Sequence, residues 1–269
     1  RAFITSLLYQ STKSNPLEDI DNIRAYPLTE NFYNLLDNFN DFKKIAKNWE
    51  LSQDVLNLDK KIRILKTHHS LCKINNYSFT NYKNSLGVIY IVRDPRNVIT
   101  SLMHHYSLKN YSNTLKFILD KNRFSGRLGK KEGFERSTEF PTYISDWKNH
   151  YNSWKSFKKK YLLIKYEDLI LDPKKNLVKI IEFIFSLSNR KLQIDMNKID
   201  NVVKSTTLDN LKKLEAANDF NERARNKKGK KINFFDKGGQ RNWSKSLKKD
   251  LVNQIEKSFK REMLELGYL

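Results

Sequence analysis

The amino-acid sequence predicts an α/β domain in which a parallel sheet is covered by helices on both faces. Three observations carry that expectation. Short β-rich runs recur at Lys61–Leu65, Val88–Val92 and Tyr161–Ile164. Helix starts follow them, twice through an Asp-Pro pair, at Asp94-Pro95 and Asp172-Pro173. The connections are long enough for helical crossovers, which parallel strands require. With 269 residues, no internal repeat and no clear linker, residues 1–269 read as one domain.

The elements follow in order. Arg1–Leu8 reads as the body of a helix, with Phe3, Leu7 and Leu8 at helical spacing. It opens without an initiator Met, so the domain is expected to be truncated at its N-terminus. Lys61–Leu65 alternates basic and apolar residues, as a strand does. Val88–Val92 is an unbroken β-branched and aromatic run, the pattern of a strand buried on both faces. Asp94 then offers an N-cap and Pro95 a first-turn proline. After the third strand and Asp172-Pro173, Leu177, Ile180, Ile181 and Ile184 form the stripe of a helix packed on a sheet. A last helix, from about Ser246, carries Leu247, Leu251, Ile255, Phe259 and Met263 on one face and stops at Gly267. Residues 125–138 and 221–231 are rich in charge and poor in apolar residues, and read as exposed loops or lids.

Composition narrows the function classes. Lys and Arg number 51 against 30 Asp and Glu, a net charge of +21. Such an excess suits a nucleotide, a nucleic acid, an acidic glycan or a membrane surface, or else reflects solvated lysine faces. Cys72 is the single cysteine, which excludes an intrachain disulfide and a cysteine-based metal site. No run approaches the ~18 apolar residues of a membrane span, and no signal peptide is recognisable, so a cytoplasmic setting is expected.

In an open parallel sheet, ligands bind beyond the carboxyl ends of the strands. Arg93 lies at one such tip, before a helix whose free N–H groups face the same crevice. Asn97 and Ser101 share a face of that helix. An Arg fork, a helix N-terminus and a hydroxyl together suit a phosphate. The alternative is a capped junction in which Arg93 pairs with Asp94 or another nearby carboxylate. At a second tip, Lys66 and His68 point to one side of an extended chain. A histidine there can act as general base near neutral pH, with the lysine balancing charge on a leaving group. A packing or surface role is open to the same histidine. At the third tip, Tyr166 can offer a ring and a hydroxyl to a nucleoside or pack on the next helix. Glu167 and Asp168 point to opposite faces and read as capping and structural residues.

The segment Val88–Tyr106, VIYIVRDPRNVITSLMHHY, resembles the 3′-phosphate-binding segment of the cytosolic-type sulfotransferase family. The resemblance implies a three-layer fold like that of P-loop nucleoside-triphosphate hydrolases. It also implies transfer of a sulfuryl group from 3′-phosphoadenosine 5′-phosphosulfate (PAPS) to a hydroxyl or amine acceptor. Arg93 and Ser101 are then the holders of the 3′-phosphate. Lys66-Thr67-His68 is similar to the family's catalytic signature, which makes His68 the base and Lys66 a holder of the sulfuryl group. His69, beside them, has no implied role. Tyr166-Glu167-Asp168-Leu169 resembles the segment whose tyrosine contacts the nucleotide. Thr206 and Leu208 fall in the adenine-side segment, where the family often has Phe at the place of Leu208. Lys237, Gly238 and Trp243 match the family's C-terminal phosphate loop. Asp236 and Arg241 depart from it, and Arg241 is expected to supply the charge that Asp236 removes. The family's opening Pro-Lys-Ser-Gly loop is absent, in line with the truncation expected above.

PAPS would be the co-substrate, no metal is implied, and the acceptor would be a small molecule or a glycan rather than nucleic acid. Two other readings compete. A P-loop-type nucleotide kinase would need Mg²⁺-binding carboxylates at a strand end, where no isolated Asp is suited to the task. A basic, non-catalytic module for nucleic acid or glycan draws on Lys158–Lys160 and the lysines of 227–231, but does not explain the order of the three strand-end motifs.

Overall fold

The computed structural model describes residues 1–9, 15–18, 20–106, 108, 110–126, 140–188, 194–217, 220, 223, 229, 231–238 and 242–269. Helix α1 (Ala2–Tyr9) is followed by α2 (Phe42–Lys47), α3 (Trp49–Leu56) and the ribbon β1 (Lys73–Ile74) and β2 (Tyr77–Ser78). Strand β3 (Val88–Val92) leads into α4 (Pro95–His105) and α5 (Tyr111–Leu119). A second ribbon, β4 (Phe124–Ser125) with β5 (Thr142–Tyr143), precedes α6 (Trp147–Trp154). Strand β6 (Tyr161–Lys165) runs into α7 (Tyr166–Leu171) and α8 (Pro173–Ser188). The chain continues through α9 (Met196–Ser205), α10 (Leu208–Ala217) and α11 (Lys249–Glu265).

Strands β3 and β6 pair in parallel, from Val88 opposite Tyr161 to Val92 opposite Lys165. Successive side chains on a strand face opposite sides, and here each side meets helices. Ile89, Leu162 and Ile164 pack with Ile180 of α8 and with Phe3 and Ile4 of α1. Tyr90, Val92 and Leu163 pack on the other face with Trp147 and Tyr151 of α6 and with Leu266 and Tyr268 beyond α11. This is helix, sheet, helix: the layered α/β order expected from the sequence. The Asp-Pro junctions form as read, since Asp94 accepts the Arg96 N–H and Asp172 the Lys175 N–H. The stripes of α8 and α11 are buried at Leu177, Ile180, Ile181, Ile255, Phe259 and Met263.

Two strand expectations are modified. Among the described residues, Lys61–Leu65 belongs to no ladder. A parallel bridge forms just beyond it, Ala25 with Lys66, closed by Tyr26 N–H to Lys66 O and Lys66 N–H to Arg24 O, each 2.8 Å. Alternation makes a segment fit for a sheet, but a ladder also needs a neighbour. Val88–Val92, expected to be buried on both faces, buries Val92 but leaves Ile91 44% exposed. Among the described residues the strand is paired along one edge, and part of its apolar surface stays open. Of the two charged loops, only 125–126, 223, 229 and 231 fall within the described residues. Among those residues no helix is long and apolar enough to cross a membrane.

Candidate active site

Arg93 leaves the end of β3 and becomes a meeting point. Its guanidinium donates to the Gly238 carbonyl at 2.8 Å and lies 4.4 Å from the centre of the Tyr166 ring. Gly238 holds a left-handed backbone at φ +49°, and a Cβ there would come within 3.2 Å of two Leu208 methyl carbons. Glycine meets both demands, the backbone angle and the close approach. Arg93, Tyr166, Leu208 and Gly238, four of the residues singled out in the sequence, therefore form one cluster.

The junction beneath Arg93 belongs to Arg96, which takes the Asp94 carboxylate through contacts of 2.8–3.1 Å. Arg96 also donates to Glu256 at 2.6 Å and to the Tyr268 carbonyl at 2.7 Å, and lies 4.2 Å from the Trp243 ring centre. Glu167 completes the knot, accepting from the Asp94 N–H and the Tyr268 hydroxyl. Its role is structural, as expected, but it sits in the first turn of α7 and not on the strand. Arg96 and Asp94 are both buried, and their charges and hydrogen bonds are mutually satisfied. Asn97 accepts from the Trp243 N–H at 3.1 Å, so that residue fastens the C-terminal motif to α4. Ser101, one turn on, is half-buried.

The 233–238 loop is held from two sides. The buried Glu215 carboxylate accepts the Phe234 and Phe235 N–H groups at 2.6 and 3.0 Å. His104 donates through Nε2 to the Asn233 carbonyl and places Nδ1 3.8 Å from the Asp236 carboxylate. Asp236, the departure from the family pattern, thus faces a histidine of α4. Arg241, expected to compensate for it, lies outside the described residues. Lys237 is exposed. The buried Thr206 hydroxyl donates to Val202 O at 2.5 Å and closes the end of its own helix.

At the other tip, Lys66 is half-buried and His68 exposed. Their neighbour His69 turns the opposite way into an aromatic core. Its ring stacks on Phe79, with centroids 4.1 Å apart and planes 7° from parallel. Its Nδ1 donates to the Ser70 carbonyl at 2.7 Å, while Nε2 is buried without a partner among the described residues. Burial pushes the His69 pKa down to about 3, and the ring is neutral. Helix α6 crosses both tips. Trp147 Nε1 donates to the Arg93 carbonyl, Trp154 Nε1 to the His69 carbonyl, and Ser153 Oγ accepts the Leu71 N–H. Sequence reasoning missed Arg96 and the polar edges of α6; the signal for the second was Trp147, Tyr151 and Trp154 at helical spacing.

Residues 3–267 match the family model described as the sulfotransferase domain, and the chain belongs to that family. Among curated proteins, Sulfotransferase 1E1 of Rattus norvegicus is 29% identical over 125 residues, covering 45% of this chain. The aligned part spans 37% of that relative's length. Solved structures of similar fold include mouse sulfotransferase SULT7A1 complexed with PAP, at TM-score 0.54 and 19% identity, covering 83% of this chain and 71% of that one. Retinol dehydratase in complex with androsterone and the inactive cofactor PAP gives TM-score 0.51 at 19% identity, covering 96% and 68%. The same enzyme with retinol and PAP gives 0.51, again at 19% identity, covering 91% and 70%. The fold is thus the α/β, P-loop-like fold of the sulfotransferases.

Proposed function

We propose that this chain transfers a sulfuryl group from PAPS to a hydroxyl or amine acceptor, a small molecule or a glycan. The observation that carries the reading is the cluster at Arg93, where a strand tip, the Tyr166 ring, Leu208 and a left-handed glycine meet beside the N-terminus of α4. A guanidinium, the positive end of a helix and an aromatic ring suit a nucleotide bearing an extra phosphate. In this reading Arg93 and Ser101 hold the 3′-phosphate, and Tyr166, Leu208, Gly238, Lys237 and Thr206 border the nucleotide.

His68 takes the acceptor's proton as the acceptor oxygen or nitrogen bonds to sulfur. The sulfur–oxygen bond to the 5′-phosphate breaks, and its electron pair leaves with 3′-phosphoadenosine 5′-phosphate (PAP). Lys66 balances the negative charge on the transferring group and the departing phosphate. His68 and Lys66 suit these tasks because alternate residues of an extended chain face one way. Calorimetry with PAP and with 5′-AMP tests the clamp. Arg93→Ala should weaken PAP binding strongly and 5′-AMP binding far less. Equal losses for the two ligands would remove Arg93 from the 3′-phosphate.

A further inference from the structure

We infer that His150 is a positioning residue for His68, holding the loop that carries it through a hydrogen-bond chain anchored on Tyr90. The inference rests on the reading of His68 as the base. His150 Nε2 lies 3.3 Å from the His68 carbonyl oxygen, and its Nδ1 lies 2.8 Å from the Tyr90 hydroxyl. A carbonyl oxygen only accepts, so Nε2 carries the hydrogen. In the neutral ring Nδ1 is then the acceptor, and Tyr90 donates to it. Burial lowers the His150 pKa to about 4, which keeps the ring in that form near neutral pH.

The chain joins a rigid element to an irregular one. Tyr90 lies in the middle of β3, its ring among those of Tyr151 and Tyr161 at 5.9 and 6.0 Å. Three residues later the same strand delivers Arg93. His68 instead sits between the Lys66 bridge and β1, on a stretch with no ladder among the described residues. Helix α6 holds that stretch at successive backbone groups: His150 at the His68 carbonyl, Trp154 at the His69 carbonyl and Ser153 at the Leu71 N–H. These three residues share one helical face. Of the three bonds, the one from His150 reaches the peptide of the base itself. Fixing that carbonyl restrains the His68 backbone and so the direction in which its Cα–Cβ bond leaves the chain. Tyr90 and His150 thereby set the base in register with the strand that carries Arg93.

The test compares His150→Leu, which removes the donor, with His150→Gln, which keeps an N–H near the place of Nε2. His150→Leu should lower kcat about 10- to 100-fold, the scale of a misplaced reacting group, with PAP affinity unchanged. His150→Gln should recover most of the loss, and Tyr90→Phe should lower kcat to a smaller degree. His68→Ala is measured in parallel. If His68→Ala keeps wild-type turnover, the base reading falls. If His68→Ala loses turnover while His150→Leu keeps it, or if His150→Gln is as impaired as His150→Leu, the positioning role falls and the base reading stands. A readout without catalysis is the ¹H–¹⁵N spectrum of the histidine rings in the wild-type protein, which stands even where the leucine variant fails to fold. It should show His150 neutral with hydrogen on Nε2, and Tyr90→Phe should shift its Nδ1 signal. Hydrogen on Nδ1 instead would overturn the inference.

Discussion

Acid should unload the aromatic core around His69, and the size of the effect follows from the structure. The ring is 0% exposed, with Phe79 stacked on it, Trp49 edge-on and the Cys72 sulfur 4.0 Å from Nδ1. Its pKa falls from 6.5 to about 3 because burial penalises the imidazolium, with His150 adding to the effect. Between those values the unfolded chain binds a proton that the folded chain refuses. Stability from the neutral ring is therefore full above the unfolded pKa and is lost as pH falls towards 3. At pH 5 the loss is about 2 kcal/mol, from ~1.4 kcal/mol per pH unit over roughly 1.5 units. His69→Phe removes the titration and keeps a ring against Phe79. It gives up the bond to Ser70 O, a change of about 1 kcal/mol that is the same at every pH, as is any packing cost of the larger ring. Urea melts of both proteins at pH 7.5 and pH 5.0, followed by tryptophan fluorescence, isolate the effect. The wild type should lose about 2 kcal/mol more than the variant between the two conditions, other histidines cancelling in the comparison. Equal losses would refute the assignment of His69 as a buried neutral ring.

Arg96→Met should destabilise the protein by about 3–5 kcal/mol, because it leaves the Asp94 carboxylate buried without its partner; a thermal melt within a degree of wild type would contradict that. His68→Ala should lower kcat by about 10²–10⁴-fold and be partly rescued by acceptors with more acidic hydroxyls, which need a base less. Lys66→Ala should also lower kcat, but without that rescue, since charge balance on the departing phosphate does not depend on the acceptor's acidity. Turnover of both variants across acceptors of graded pKa, with labelled PAPS, separates the two roles; equal rescue would merge them.

How far the sequence discloses the molecule depends on whether a feature is local. The Asp-Pro junctions are local devices, and both form. The stripe on α8 is set by its own spacing and packs as read. Strand pairing is not local: Lys61–Leu65 and Val88–Val92 both look like strands, but only the second has a ladder neighbour among the described residues. At the site, motif order placed Arg93, Tyr166 and Gly238 near one another, and they touch. It gave no means of seeing that Arg96, three residues after Arg93, takes the Asp94 carboxylate. That choice is made by Glu256 and Tyr268, at separations of 160 and 172 residues. Trp147, Tyr151 and Trp154 fall at helical spacing and pack in the core, whereas Tyr106 is 42% exposed. The indole N–H groups that reach the Arg93 and His69 carbonyls carry no periodic signature, because a tryptophan's apolar face and its donor edge occupy one residue.

The Arg96 knot also has a kinetic side. It ties residue 96 to residues 256 and 268, so a very large loop must close before those two bonds form. Closing that loop costs entropy before the contacts repay it, and long-range contacts of this kind slow folding. The strand tip that carries Arg93 therefore has its full support only once that loop is closed. A ligand that binds only the assembled tip adds its binding free energy at that step, drawing the chain towards the finished state by mass action. The Arg93 tip is thus a local read-out of whether the distant parts of the chain have come together.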